Sequence, residues 1–111
     1  MKVLQIKLLE NRIWDLLRSI ERGEIYLSKI LPEKSWGFLE DHYGVVKFIS
    51  TDGWGLAVFF DCGEWDYFEW FIDPGGSELQ FEEFSEALKG YRPSKRIRER
   101  MFGEPGYLGS D

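Results

Sequence analysis

Apolar residues recur every three or four positions over residues 3–22, which is the spacing of one face of an α-helix. These positions are Ile6, Leu9, Ile13, Leu16 or Leu17, and Ile20. Charged side chains fall largely on the other faces of this helix. Gly23 favours an end to the helix, because glycine adopts a positive φ at no steric cost. The pattern therefore predicts an amphipathic N-terminal helix that ends near Gly23.

From residue 43 onward the pattern changes to β-branched and aromatic runs, which are typical of strands. Turn residues interrupt these runs at 51–53, 61–64 and 73–77, and each of the three turns contains glycine. The pattern predicts strands at residues 45–49, 54–60 and 65–72, with a short fourth strand at 78–81. Connections this short join antiparallel neighbours.

The remaining segments complete the expected architecture. Residues 25–41 fit either a strand or a further helical turn, and Pro32 interrupts both. Helices are predicted at 82–90 and 93–101. The expectation is an α+β protein with one domain over residues 1–102 and a loose tail over residues 103–111. The domain is an antiparallel meander of three to four strands, with the N-terminal helix packed on it and a small helical C-terminus.

Alternation along the third predicted strand assigns its side chains to the two faces of the sheet. One predicted face carries Phe68, Trp70 and Ile72, and the other carries Trp65, Tyr67, Glu69 and Phe71. One face is expected to meet the N-terminal helix. The second is either covered by the C-terminal helices or left partly open, as an aromatic and acidic patch for a partner.

Composition limits the class of protein. The 111 residues are 43% hydrophobic and 31% charged, which is typical of one globular domain. No apolar run approaches the ~20 residues that span a membrane, and residues 1–7 mix charges with apolar side chains, unlike a signal peptide. The single cysteine, Cys62, forms no internal disulfide. These features predict a cytoplasmic protein with no membrane partner.

Charge is segregated along the chain, whose net charge is −6. Residues 48–88 hold ten acids and no Lys or Arg, whereas the segment Lys89–Arg100 holds six bases and one acid. An acidic surface repels phosphate and attracts basic partners, so we expect no nucleic-acid partner. The basic segment is interpreted as an internal counter-charge that lies on or near the acidic sheet.

No catalytic or metal-binding motif is evident. Cys62 and His42 are the only possible Cys–His pair, but Asp61 and Glu64 flank the thiol, and carboxylates disfavour the thiolate that a nucleophile needs. A metal set drawn from these four residues and Asp66 has too few Cys and His for zinc and the wrong register for calcium. We therefore expect no enzyme activity, no metal and no cofactor.

Residues 52–76 resemble a group of small, functionally uncharacterised bacterial proteins with a GWxLxxFxDCxExDY core. The resemblance rests on Asp52-Gly53-Trp54-Gly55-Leu56, Phe59-Phe60-Asp61-Cys62, Glu64-Trp65-Asp66-Tyr67 and Asp73-Pro74-Gly75-Gly76. In that group an asparagine often precedes the Asp-Cys pair, where this chain has Phe60. The resemblance implies a bacterial origin and a compact domain, and it supplies no active site. More broadly, the chain resembles the immunity proteins of bacterial toxin systems, including contact-dependent growth inhibition, which are small, often acidic cytosolic inhibitors.

These observations favour a non-enzymatic protein-binding module that blocks a basic, nuclease-type toxin with an acidic and aromatic surface. The expected partner-binding residues are Asp61, Glu64, Trp65, Asp66, Tyr67, Glu69 and Phe71. One alternative is a small enzyme or ligand-binding domain with a pocket around Asp61, Glu64 and Asp66. Another is a structural subunit whose acidic sheet meets the basic tail of a second copy. The sequence leaves the oligomeric state open.

Overall fold

The structure, a computed structural model, describes residues 3–30, 43–61 and 64–92, with side chains over residues 3–28, 45–59 and 66–92. Its elements are α1 (Val3–Glu21), β1 (Leu27–Ile30), β2 (Tyr43–Ser50), β3 (Gly55–Asp61), β4 (Glu64–Ile72), β5 (Glu78–Gln80), a 3-10 turn (Phe81–Glu83) and α2 (Glu86–Lys89). The strands form one antiparallel sheet in the order β1-β2-β3-β4-β5, so each strand pairs with its sequence neighbour. The predicted α+β class is confirmed, and the sheet has five strands.

Helix α1 places the predicted apolar positions against the sheet. Five of them are buried in the core, namely Leu9, Ile13, Leu16, Leu17 and Ile20, and Ile6 is half-buried. The helix ends as expected at Gly23, whose φ is 81°. The Gly23 N–H donates to the carbonyl of Ile20 (3.0 Å) and the Glu24 N–H to that of Ser19 (2.9 Å), which is a Schellman motif.

One face of the sheet supplies the other half of the core. Its buried side chains are Leu27, Val46, Phe48, Trp54, Leu56, Val58, Phe68, Phe71 and Leu79. Fully burying a large apolar side chain contributes about 1.5–3 kcal/mol. The amphipathic helix and this face therefore stabilise each other, and they fix which side of the sheet is left for solvent.

The C-terminal elements join the same core, since Phe84 and Leu88 are buried in it. The predicted helix over residues 82–90 is wrong at its start, because a 3-10 turn precedes the four-residue α2. Phe84 caps the end of the 3-10 turn, and Ser85 caps the start of α2, where its hydroxyl oxygen accepts the Leu88 N–H at 3.2 Å. Buried Glu10 of α1 explains the break, because it accepts the Ser85 backbone N–H at 2.9 Å and the Ser85 hydroxyl.

Two hairpin turns of the same construction lie side by side at one end of the sheet. Residues 50–54 join β2 to β3 and residues 73–77 join β4 to β5, each closed by N–H to O contacts of 2.8 Å between its end residues. In each turn the fourth residue is a glycine with φ 99°, as a three-residue loop with a left-handed last position requires. A Cβ added at Gly53 would lie 3.4 Å from Pro74, so the turns are in contact.

Strand β4 contains two bulges that overturn the predicted faces. Its register with β3 skips Glu69 at one place and Asp66 at another. A bulge residue reverses the alternation beyond it. Phe68 and Phe71 therefore both face α1, with exposed fractions of 2% and 0%. The prediction that Phe71 shares a face with Tyr67, and that Trp70 shares one with Phe68, is wrong.

Some predictions lie outside the described residues. These are the helix at 93–101, the tail at 103–111, the turn residues Cys62 and Gly63, and His42. The ambiguous segment 25–41 is described only up to residue 30, where it forms β1.

Candidate functional site

The sheet face opposite α1, termed the outer face, is the principal surface that the described core leaves uncovered. Residues directly opposite each other on paired strands share a face, so the register defines its members. Among the described side chains they are Ser28, Val45, Lys47, Ile49, Gly55, Ala57, Phe59, Tyr67, Trp70, Ile72, Glu78 and Gln80. Val45 and Ile49 are 37% and 46% exposed, and the four largest of the other apolar members are half-buried. The outer face is thus apolar at its centre, and Lys47 is exposed among the apolar residues of β2.

Aromatic rings cross the outer face in contact with one another. Phe59 stacks on Tyr67 with ring centroids 5.4 Å apart, and Tyr67 contacts Phe81 at 4.8 Å. The Trp70 ring lies over Gly55, where an added Cβ would be 3.7 Å from it. Such contacts hold the rings in fixed positions at the surface, so they form a rigid platform with little rotamer entropy left to lose.

Three carboxylates, termed the acidic edge, lie on β4 and β5 beside this platform: Asp66, Glu69 and Glu78. The first two are the bulge residues of β4. Asp66 is half-buried and lies 3.7 Å from the Arg92 guanidinium. Neither Glu69 nor Glu78 forms an ion pair with another described residue.

The phenol of Tyr67 is coupled to this acidic edge. Partial burial raises the pKa of Tyr67, and the charges of Glu69 and Asp66, together with a hydrogen bond to Glu69, raise it further. The hydroxyl consequently stays protonated at neutral pH and donates to the carboxylate. The pair joins the aromatic platform to the acidic edge, so Tyr67 and Glu69 are positioned as one unit.

The structure brings together three of the seven predicted site residues. Asp66, Tyr67 and Glu69 are neighbours on β4, whereas Phe71 belongs to the core. The side chains of the other three, Asp61, Glu64 and Trp65, lie outside the described ones, although their backbones end β3 and begin β4, and Asp61 pairs with Glu64.

Sequence reasoning missed the β2 half of the outer face. Val45, Lys47 and Ile49 are exposed while Val46 and Phe48 are buried, so the strand alternates strictly. That alternation was the available signal, since only every second residue of a strand facing one core is buried. Trp70 was placed on the wrong face because the bulge at Glu69 leaves no trace in the residue types.

The described part of the chain also has grooves beside α1. One of them measures about 410 Å³ and is lined by Trp14, Leu17, Arg18, Glu21, Arg22 and Tyr91. Burial, with a contribution from the Glu21 charge, raises the pKa of Tyr91 to about 12, so this phenol does not act as a base near neutral pH. The described lining of this groove contains no Ser, Thr, Cys, His or Lys side chain.

Within residues 3–30, 43–61 and 64–92, no three or more His, Cys, Asp or Glu side chains gather as a metal site would require. The same residues contain no helix that is long and apolar enough to cross a membrane. Comparison of the chain with protein-family models, with curated proteins and with solved structures finds no match.

Proposed function

We propose that this chain is a non-enzymatic, cytoplasmic protein-binding module, and specifically an immunity protein that neutralises a basic, nuclease-type bacterial toxin. The observation that carries the proposal is the outer face, an apolar and aromatic platform that adjoins the acidic edge. Contiguous apolar surface on a small protein marks an interaction site more often than single scattered apolar residues do. Interfaces are enriched in aromatic anchors at their centre and polar groups at their rim.

The shape of the platform favours a protein over a small ligand. Small molecules bind in concave sites that bury most of their surface, whereas the outer face is a sheet surface with rings lying across it. The Tyr67 ring is already held by its contacts with Phe59 and Phe81, so it loses little conformational entropy when a partner covers it.

Charge supports a basic partner. Residues 48–88 contribute ten acids and no Lys or Arg, and the acidic edge adjoins the apolar centre. Nuclease active sites bind phosphate and tend to be basic, so an acidic surface can attract and occlude such a site. The Arg92 guanidinium of the same chain lies 3.7 Å from Asp66, which supports an attraction of this surface for basic groups. Because Asp66 already pairs with Arg92, its carboxylate is less available than that of Glu69 to act in a ligand-binding or catalytic pocket.

The test uses a basic toxin domain recovered with the chain from the source organism, and it measures survival of cells that express both. The association and dissociation rates of the purified pair then distinguish the effect of charge from the effect of apolar contact. Glu69→Lys and Glu78→Lys should each slow association several-fold and weaken its dependence on salt. Ile49→Ser should mainly speed dissociation, by about tenfold, because differences within one interface lie mostly in the off-rate.

Two substitutions serve as matched controls. Leu4→Ser removes a comparably exposed aliphatic residue on α1, and Glu24→Lys reverses an exposed charge beyond the C-terminal end of α1. Both should leave the two rate constants and the survival of the cells unchanged. If the charge reversals on the acidic edge also change nothing, the toxin-blocking role of this surface is wrong.

A further inference from the structure

We propose that the outer face is closed by the outer face of a second copy of this chain, forming a face-to-face homodimer that a partner protein must open. The proposal rests on the same surface as the proposed function, and it names what covers that surface before the partner arrives. Val45 and Ile49 are exposed aliphatic residues in the middle of a strand, beside half-buried aromatic rings. Association of two such faces would remove this apolar area from water.

The register of the sheet makes the outer face complementary to itself. Its three rows across the strands are Val45, Phe59 and Tyr67; Lys47, Ala57 and Trp70; and Ile49, Gly55 and Ile72. A two-fold axis parallel to the strands and above β3 lays β2 of one copy over β4 of the other. Val45 of one copy then meets Tyr67 of the other, and Ile49 meets Ile72.

Charge selects this axis. The middle row carries the cation Lys47 at its β2 end and Trp70 at its β4 end, where Glu69 is the adjacent residue. The proposed axis places each ammonium over the second copy's indole and near its carboxylate, and both are favourable partners of a cation. A two-fold axis across the strands would instead lay Lys47 over Lys47, and like charges in contact oppose binding.

The centre of the face fits close approach of two sheets. Gly55 and Ala57 of β3 lie under the proposed axis, where the Trp70 ring covers Gly55 and Ala57 is fully buried. Packed sheets stand about 10 Å apart with their strands nearly aligned, and they fill the space by interdigitating side chains. The rings that already cover β3 in each copy would therefore form the middle of the contact.

The size of the face suits a specific dimer. The five strands have four, eight, seven, nine and three residues; at a spacing of about 4.8 Å and a rise of about 3.3 Å per residue, they give a flat area of about 490 Å². The relief of the side chains raises the accessible area above this flat value. A standard interface buries about 800 Å² per partner, so the outer face is of the required order.

Sedimentation equilibrium of the isolated chain tests the dimer without any partner. The expected mass rises with concentration toward twice the 13.1 kDa of one chain, with a dissociation constant of about 10 µM. Lys47→Glu and Glu69→Lys should each weaken the dimer by at least about tenfold. The double variant, which exchanges the two charges, should return to within about threefold of the wild type.

Leu4→Lys is the control, since it places a charge on an exposed residue of α1 and should leave the dissociation constant unchanged. A chain that stays monomeric, a dimer that Leu4→Lys weakens, or a double variant that fails to recover would overturn the proposal. Because no toxin is present, a monomeric result leaves the proposed function standing. Conversely, a dimer that forms as described, in a chain that protects no cell, removes only the proposed function.

Discussion

Two Asp–Arg pairs of equal length but unequal burial provide a sharp test of what holds this fold together. Arg12 meets Asp73 and Arg18 meets Asp15, each with a nitrogen–oxygen distance of 2.6 Å. The Asp73 side chain is 6% exposed and that of Asp15 is 74% exposed. Distance alone predicts equal contributions to stability, whereas burial and hydrogen bonding predict very different ones.

Asp73 holds the β4–β5 turn together as well as pairing with Arg12. Its Oδ1 accepts the Gly75 and Ser77 backbone N–H groups at 2.9 and 2.8 Å, and its Oδ2 accepts from Arg12. Asp73→Ala leaves three donors without their acceptor, at about 1 kcal/mol each, so the free energy of unfolding should fall by about 3 kcal/mol. Asp15→Ala removes an exposed pair and should cost less than about 1 kcal/mol.

The pH dependence of stability provides a second test of the role of the Asp73 carboxylate. Burial alone would raise the pKa of Asp73, but the Ser77 N–H, the hydrogen bond and charge of Arg12, and the Gly75 N–H outweigh it and lower that pKa. Because this pKa is lowered on folding, ionised Asp73 adds to the free energy of unfolding. This contribution is complete above the pKa of the unfolded carboxylate, about 3.9, and is lost as the pH falls through the pKa of the folded state.

Urea unfolding from pH 7 to pH 2 measures both effects. The difference in the free energy of unfolding between the wild type and Asp73→Asn should be constant down to about pH 5 and should shrink below about pH 4. Asp73→Asn keeps Oδ1 for the turn and loses the charge toward Arg12, so it should cost less than the alanine variant. Equal effects of the Asp73 and Asp15 substitutions, or a difference that ignores pH, would refute this reasoning.

Three further predictions concern the core, the bulge and the excluded chemistry. Ile13→Ala should lower the free energy of unfolding by about 2–5 kcal/mol, because Ile13 is fully buried, while Leu4→Ala should change it little. Deletion of Glu69 should give a folded protein by circular dichroism with reduced toxin binding, since removing a bulge residue restores regular alternation and keeps both buried phenylalanines of β4 inward. Cys62→Ser and His42→Ala should each leave cell protection intact, and loss of protection in a folded variant would support an enzyme or metal site.

Local patterns predicted most of the elements in this fold. The spacing of apolar residues in α1 follows from the period of the helix. The turns at residues 51–53 and 73–77 follow from glycines that adopt a positive φ. The short strand β5 and the end of α1 near Gly23 are likewise confirmed. These features depend on a few neighbouring residues, so a sequence window contains all the information that they need.

Features set by distant contacts escaped prediction. The bulges at Asp66 and Glu69 arise from the pairing of β4 with β3, and they decide that Phe71 faces the core. Similarly, Ser85 divides the predicted helix because Glu10 binds it from 75 positions away. The sequence therefore predicted that Tyr67 and Glu69 lie on one strand, and it placed Phe71 on the wrong face of that strand.

The sequential order of the five strands has a consequence for how this chain folds. Every strand pair joins sequence neighbours, so β2–β3 and β4–β5 can each close through a three-residue loop at small entropic cost. Chains rich in such short-range contacts fold quickly. Helix α1 is the exception, since its contacts with Asp73 and Ser85 span 61 and 75 positions. We expect the meander to form first, and the docking of the N-terminal helix onto it to complete folding.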